Sequence, residues 1–280
     1  VQQVKGDALT TVKDANFVNS LNGKIAGVSI NKSASGVGGA TRVVMRGAKS
    51  IEGDNNALYV VDGIPLFNTN MGNTDSGIMG EGKAGTEGIA DFNPEDIESL
   101  SVLSGPSAAA LYGSSAANGV ILITTKRGKT GAPRISYNGY VGIQNATATI
   151  DRVSSADYAR LYNRIDDDNN NPHRYSDEDI RLFENGSDPY GHPNTDWNDA
   201  AYKTGVLHKH NVSINGGTEN ARYMASVGYL GQTGILPNSE RSQFNGRMNL
   251  DVDITKKWHV RMNLSYIKND YKDPNSNYGG

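Results

Sequence analysis

Side chains capable of covalent or metal chemistry are sparse in this chain. There is no Cys, which excludes disulfides, thiolate zinc sites, iron–sulfur clusters and a cysteine nucleophile. The five His are scattered, and no Ser, His and Asp order or carboxylate pair can be tied to catalysis. His208 and His210 are two apart on a strand-like run and so share a face, but no third ligand stands nearby in the sequence. Asp166-Asp-Asp-Asn-Asn-Asn171 with Asp177 comes closest to a cation site. Asp166, Asp168 and Asn170 fall where a calcium loop carries its first three oxygen ligands. Its sixth position is Asn171 where such a loop needs Gly, and its last is Asp177 rather than Glu. A solvated acidic loop is the better reading, with calcium as the weaker one. No Gly-x-Gly-x-x-Gly stands between a strand and a helix, so a phosphate cradle is not expected. The expectation is a protein that is not an enzyme and holds no cofactor.

What remains is chemistry by hydrogen bond and charge. The polar stretch 67–91 carries Asn68, Asn70, Asn73 and Asp75, whose amide and carboxylate groups suit sugar hydroxyls. Arg46 follows a strand-like run and precedes Gly47. If buried there it needs a partner, because a lone buried guanidinium is costly. Overall charge gives no further hint: 27 basic and 30 acidic side chains are interspersed, for a net charge of −3, so no basic face for nucleic acid stands out.

The elements that position these groups change character near residue 130. Before it, short apolar runs alternate with Gly-rich turns: Gly27–Ile30, Arg42–Met45, Leu58–Val61, Ile97–Leu103 and Val120–Thr125 read as strands. Phe17, Val18 and Leu21 have helical spacing. Pro106 opens an Ala-rich helix that Gly113 closes. Asp62-Gly63 reads as a strand-ending turn. This predicts an α+β domain over residues 1–130, whose 67–91 loop is long enough to be functional or disordered.

After residue 130 the apolar period becomes two. Strands are predicted near 135–145, 206–215, 221–231, 243–254 and 258–269. In the fourth, Phe244, Met248, Leu250, Val252 and Ile254 alternate with Gln243, Asn245, Arg247, Asn249 and Asp251. Runs of ten or more alternating residues are about twice the usual strand length of about 5–6 and match what crosses a bilayer at a tilt. Tyr137, Tyr223, Tyr229, Trp258 and Tyr266 lie on the apolar face, as in an interfacial girdle. Tight connections (216–220, 255–257) alternate with long ones (146–205, 232–242). Mean hydropathy is −0.53 and no apolar run exceeds five residues, which excludes membrane-spanning helices but not a β-barrel. The 33 Gly and 30 Asn fit its turns and polar loops. Five strands cannot close a barrel and an open edge in lipid is forbidden, so the chain is expected to be the N-terminal part of something longer. Residues 131–280 are then the first barrel strands, with 146–205 an extracellular loop.

Six ordered motifs carry a resemblance: Leu21-Asn-Gly-Lys-Ile-Ala-Gly-Val28, Val44-Met-Arg-Gly47, Leu58-Tyr-Val-Val-Asp-Gly-Ile-Pro65, Phe92-Asn-Pro-Glu-Asp-Ile-Glu-Ser-Leu100, Ser107-Ala-Ala-Ala-Leu-Tyr-Gly113 and Ala117-Asn-Gly-Val-Ile-Leu-Ile-Thr-Thr-Lys126. The chain resembles TonB-dependent outer-membrane transporters of the SusC/RagA branch. The resemblance covers the plug domain and continues into the barrel at Asn215-Gly-Gly-Thr-Glu219 and Ser226-Val-Gly-Tyr229. It implies an α+β plug inside an incomplete part of a 22-stranded antiparallel barrel, in the outer membrane of a Gram-negative bacterium. It also implies TonB-driven import of an oligosaccharide or, second, an oligopeptide, with no bond chemistry. Implied partners are the TonB complex, acting through a segment upstream of Val1, a SusD-like surface lipoprotein and outer-membrane lipid. Arg46 is implied to belong to a plug arginine pair facing barrel carboxylates. Asn68, Asn70, Asn73 and Asp75 are implied to face the outer cavity and its substrate. Ser104-Gly-Pro106 and Ser115-Ala116 depart from the branch's Lys-Asp-Ala and Arg-Gly, which leaves the substrate open. The competing expectation is a soluble extracellular β-rich module, glycan-binding or adhesin-like, with two packed apolar faces.

Overall fold

The computed structural model describes residues 2–11, 16–32, 37, 41–45, 47, 56–66, 89, 91–103 and 106–272. Arg46, Asn68, Asn70, Asn73 and Asp75 lie outside the described residues. By contact density the chain forms two units: residues 1–143, 205–234 and 238–280 in one, and 144–204 with 235–237 in the other.

The first unit opens with an α+β domain. Strand β1 (Gln2–Lys5) leads into helix α1 (Gly6–Thr10). The helical spacing at Phe17 resolves into a 3-10 helix, Phe17–Leu21, capped by Asn16, whose side chain accepts from Val18 N at 3.1 Å. Strands β2 (Val28–Lys32) and β3 (Thr41–Met45) pair with each other. They are followed by β4 (Leu58–Val61), β5 (Ile64–Leu66), β6 (Ile97–Leu103), helix α2 (Pro106–Tyr112) and β7 (Val120–Thr125). The main sheet runs β1-β6-β7-β4-β5, with β4 parallel to β7 and the other neighbours antiparallel. Both faces are covered, which is why β7 opens with four apolar residues in a row, Val120–Ile123. Ile97, Leu100, Ile121 and Ile123 pack with Leu9, Phe17 and Tyr59 on one side. Val60, Leu103 and Val120 pack with Ala108 and Ala116 on the other. Asp62 and Gly63 turn β4 into β5 with φ of 49° and 88°, the left-handed pair that a two-residue hairpin of matching twist requires.

Five long strands follow: β8 (Gly131–Gln144), β9 (Gly205–Gly217), β10 (Ala221–Thr233), β11 (Glu240–Thr255) and β12 (Trp258–Lys272). They form a second sheet in the order β12-β11-β10-β9-β8. Each extends past the span that alternation alone marked, because ladder pairing continues through polar ends such as Glu240↔Lys272. At about 3.3 Å per residue these strands are ~43–53 Å long, ample for a tilted crossing of a ~30 Å hydrocarbon layer.

The sheet is polar inside and apolar outside. On β11, Arg241, Gln243, Asn245, Arg247 and Asn249 are buried, whereas Phe244, Met248 and Ile254 are exposed. On β10, Met224, Ser226 and Leu230 are buried while Val227 and Tyr229 are exposed. Asn249 has 0% of its surface accessible and Val227 51%. A soluble sandwich would bury the apolar face, so the expected alternative of a soluble module is overturned. The inversion is that of a barrel wall with lipid outside and a polar lumen within.

The second unit carries three capped helices: α3 (Ser155–Asp168), α4 (Asp177–Asn185) and α5 (Trp197–Ala201). Ser154 caps α3. Ser176 and Asp179 form a reciprocal capping box at the start of α4, which ends at Gly186 with φ 63°. Asp196 caps α5, its side chain accepting from Asn198 N and Asp199 N.

Candidate functional site at the domain–wall interface

Among the described residues, the α+β domain meets the inner face of the wall at two places, the first of them the short segment Asp91 to Asp96. Asn93 accepts from Glu95 N at 3.2 Å and so caps a 3-10 turn, Pro94–Asp96, that feeds β6. The turn leaves Asp91, Asn93 and Asp96 directed at β9, β10 and β11. Arg241 Nη2 reaches Asp91 Oδ1 at 2.8 Å, and Gln243 Nε2 donates to Asp91 O at 2.6 Å. Asn93 Nδ2 donates to Asn211 Oδ1 at 2.8 Å. Ser226 Oγ donates to Asp96 Oδ1 at 2.6 Å. Arg247 Nε stands 3.8 Å from Asp96 Oδ2, with its guanidinium 4.4 Å from the centre of the Phe92 ring.

The ion pairs are held at a cost. Burial pushes the carboxyls of both Asp91 and Asp96 above the ordinary range, and the neighbouring Arg241 and Arg247 only partly oppose it. Arg241 Nε, Asn245 Nδ2 and Asn249 Oδ1 are buried with no hydrogen-bond partner among the described residues. Such atoms each subtract about 1–3 kcal/mol from a contact. The interface is therefore specific in geometry yet weak for its number of bonds.

A second cluster fixes the link from β7 to β8. Asp62 accepts from Thr125 N at 3.0 Å and Thr125 Oγ1 at 2.6 Å. Asn249 Nδ2 donates onward to Thr125 Oγ1 (2.9 Å) and Lys126 O (2.7 Å). Arg127 reaches Asp251 at 3.2 Å, and Asn215 clasps the link by bonding Arg127 O and Lys129 N. Lys126 N donates to Asp96 O at 2.8 Å, joining the two clusters. Gly128 runs so close to Tyr223 N that a Cβ there would overlap the β10 backbone.

Of the residues singled out in the sequence, Arg46, Asn68, Asn70, Asn73 and Asp75 fall outside the described residues. Among the described residues, charge pairing between domain and wall runs in both directions. At Arg127 and Asp251 the domain side gives the arginine, but at Asp91 and Asp96 it gives the carboxylates and the wall gives Arg241 and Arg247. The calcium candidates are not brought together. Asp166 and Asp168 lie in the last turn of helix α3 two residues apart, on different faces, and Asp166 pairs with Arg174 at 3.4 Å. No group of three His, Asp or Glu placed to hold a metal exists among the described residues. His208 and His210 do share a face, 5.7 Å apart, but pack against Tyr229 and Tyr137 as wall residues.

Comparison with known proteins places this geometry. Residues 1–120 match the family model described as the TonB-dependent receptor plug domain. The chain is 35% identical over 284 aligned residues to the TonB-dependent receptor SusC of Bacteroides thetaiotaomicron, covering 100% of this chain and 26% of that protein. A TonB-dependent receptor of Formosa agariphila is 32% identical over 265 residues, 94% of this chain and 22% of its own length. The RagAB peptide importer in its open-open state superposes with a TM-score of 0.76 at 24% identity, over 98% of this chain and 30% of the matched one. The chain thus spans about a quarter of the length of the curated relatives it matches.

Proposed function

This chain belongs to the TonB-dependent receptors of the SusC and RagA type, its plug domain followed by antiparallel barrel strands, and from that premise we propose that it gates active import of a nutrient across the outer membrane of a Gram-negative bacterium. The observation that carries the reading is the docking of Asp91–Asp96 on a wall that is polar inward and apolar outward. A plug held by weak, desolvated ion pairs rather than an apolar core can be released by a pull and reseated afterwards.

In this reading the energy comes from the TonB complex acting on a segment upstream of the plug. A SusD-like lipoprotein covers the outer mouth, and the 146–205 module stands on the outer surface. An oligosaccharide is the favoured substrate, in line with the resemblance to SusC; a peptide is second, since the structurally similar RagAB is a peptide importer. Arg46 serves as a further plug–barrel tether, and Asn68, Asn70, Asn73 and Asp75 meet the substrate. The plug does no bond chemistry. Uptake of labelled oligosaccharides and peptides by cells carrying the full-length receptor tests this. Accumulation should require both the receptor and an intact TonB complex. Accumulation that survives loss of TonB contradicts it.

A further inference from the structure

The helices of residues 144–204 line a cavity of about 320 Å³, at the small end of the ~300–1,000 Å³ typical of ligand sites. Four rings face it: Tyr158, Tyr175, Phe183 and Trp197. Its walls are fixed by hydrogen bonds and ring contacts within residues 144–204. Asn163 clasps the Tyr175 backbone from both sides, at 2.7 and 3.1 Å. Phe183 lies edge-on to Tyr175, and edge-on to a His192 that both Asp179 and Asp188 hold at 3.0 and 2.8 Å. Ser155 bonds Asn194 and Pro193, and Asn198 Nδ2 donates to Ile150 O. The last bond ties Trp197, at the start of α5, to the segment carrying Arg152.

Arg152 is the single charged side chain in the lining. It has no ion pair among the described residues. Trp197 is 67% exposed and its indole N–H has no partner among the described residues. A guanidinium takes a carboxylate through two parallel hydrogen bonds, and exposed ring faces take the apolar C–H face of a sugar. We propose that this cavity is a subsite for a carboxylate-bearing sugar, a uronic acid unit near the end of an oligosaccharide. A peptide C-terminus also brings a carboxylate. Such termini are caught by runs of backbone N–H, whereas this lining offers rings and one cation. The inference deepens the transport reading by adding acidic glycans to its substrates. Its test reads binding alone, so the two fail separately.

The experiment is calorimetry on the detergent-solubilised full-length receptor with tri-galacturonate, its methyl ester and a neutral tripeptide. Tri-galacturonate should bind about tenfold or more tightly than the ester, the size of one charge-assisted pair. Arg152→Gln should abolish that preference while ester binding persists, and Trp197→Ala should weaken both ligands. Unchanged thermal unfolding of the exposed-site variants separates lost recognition from lost folding. No binding of tri-galacturonate, a preference that survives Arg152→Gln, or displacement of the sugar by the tripeptide at this site would each overturn the proposal.

Discussion

Ser226 and Asp96 are 130 positions apart in the chain, yet the Ser226 hydroxyl donates to the Asp96 carboxylate at 2.6 Å. This bond places the turn that opens plug strand β6 against the middle of wall strand β10. Asp96 also accepts from Lys126 N through its backbone oxygen, so one residue reads the position of both the wall and the linker. That makes Asp96 the pivot of the plug's seat.

Asp96→Asn keeps an acceptor for Ser226 but strips the charge facing Arg247, which is buried. The stranded guanidinium should cost up to about 3 kcal/mol. The seat should loosen, seen as faster proteolysis of the plug in the micelle-bound receptor. Pairing it with Arg247→Gln should restore much of the loss. If the double variant is no better than the single one, the two residues do not act as a pair.

Gly128→Ala should be harmful although alanine is small. Its Cβ would meet the backbone at Tyr223 and Arg222, which no rotamer change relieves, so a loss of about 1–3 kcal/mol is expected from overpacking. Gly142→Ala is the control, since its Cβ would find the nearest atom, Leu207 O, at 4.0 Å. Thermal unfolding in micelles compares them directly. Equal midpoints would mean the link does not pass β10 as described.

Val227→Lys tests the outward face. In a soluble protein, a charge at an exposed position is nearly neutral to stability. In lipid near the bilayer midplane it costs about 2–4 kcal/mol. Unfolding from vesicles should therefore show a marked loss, while a Lys at exposed Tyr190 in the 144–204 module should show almost none.

His192 gives that module a pH dependence. Hydrogen bonds to Asp188 and Asp179 raise its pKa above the ordinary histidine value; the bond to His192 is the main cause that lowers Asp188, whereas Asp179 is lowered chiefly by Ser176 and then by His192. The sign follows: a raised histidine stabilises the fold fully below its unfolded pKa, and that contribution is lost as pH climbs through the folded value. Hydrogen exchange of residues 186–194 should quicken above neutrality in the native protein. In His192→Gln their protection, corrected for the intrinsic rise of exchange with pH, should be low and independent of pH.

Much of this was legible before any coordinates. Alternation along 243–254 marked which β11 side chains share a face, because the strand period leaves no choice. It did not say which face the plug would cover. Arg241 and Asp91 are 150 positions apart, and no local pattern pairs them. Asn93 and Asp96 passed as parts of a family motif and Asp91, just before it, was not singled out; nothing distinguished docking groups from turn formers. Asp62 was read as a turn residue and is one, but its carboxylate also anchors Thr125, a role that exists only once β4 and β7 lie side by side. The calcium spacing at Asp166 presumes a loop, whereas α3 runs on through Asp168.

The central claim is that the Asp91–Asp96 segment must leave the wall for transport. These 280 residues have no Cys, so Asn93→Cys with Asn211→Cys, in a full-length receptor cleared of any other Cys, places a thiol pair across a contact of 2.8 Å, bridgeable by a short bifunctional thiol reagent. Uptake by cells carrying the bridged full-length receptor should fall to the level of cells without it, and either single variant treated alike should transport normally. Undiminished uptake through a fully bridged receptor would show that the seat does not open, and would contradict the account.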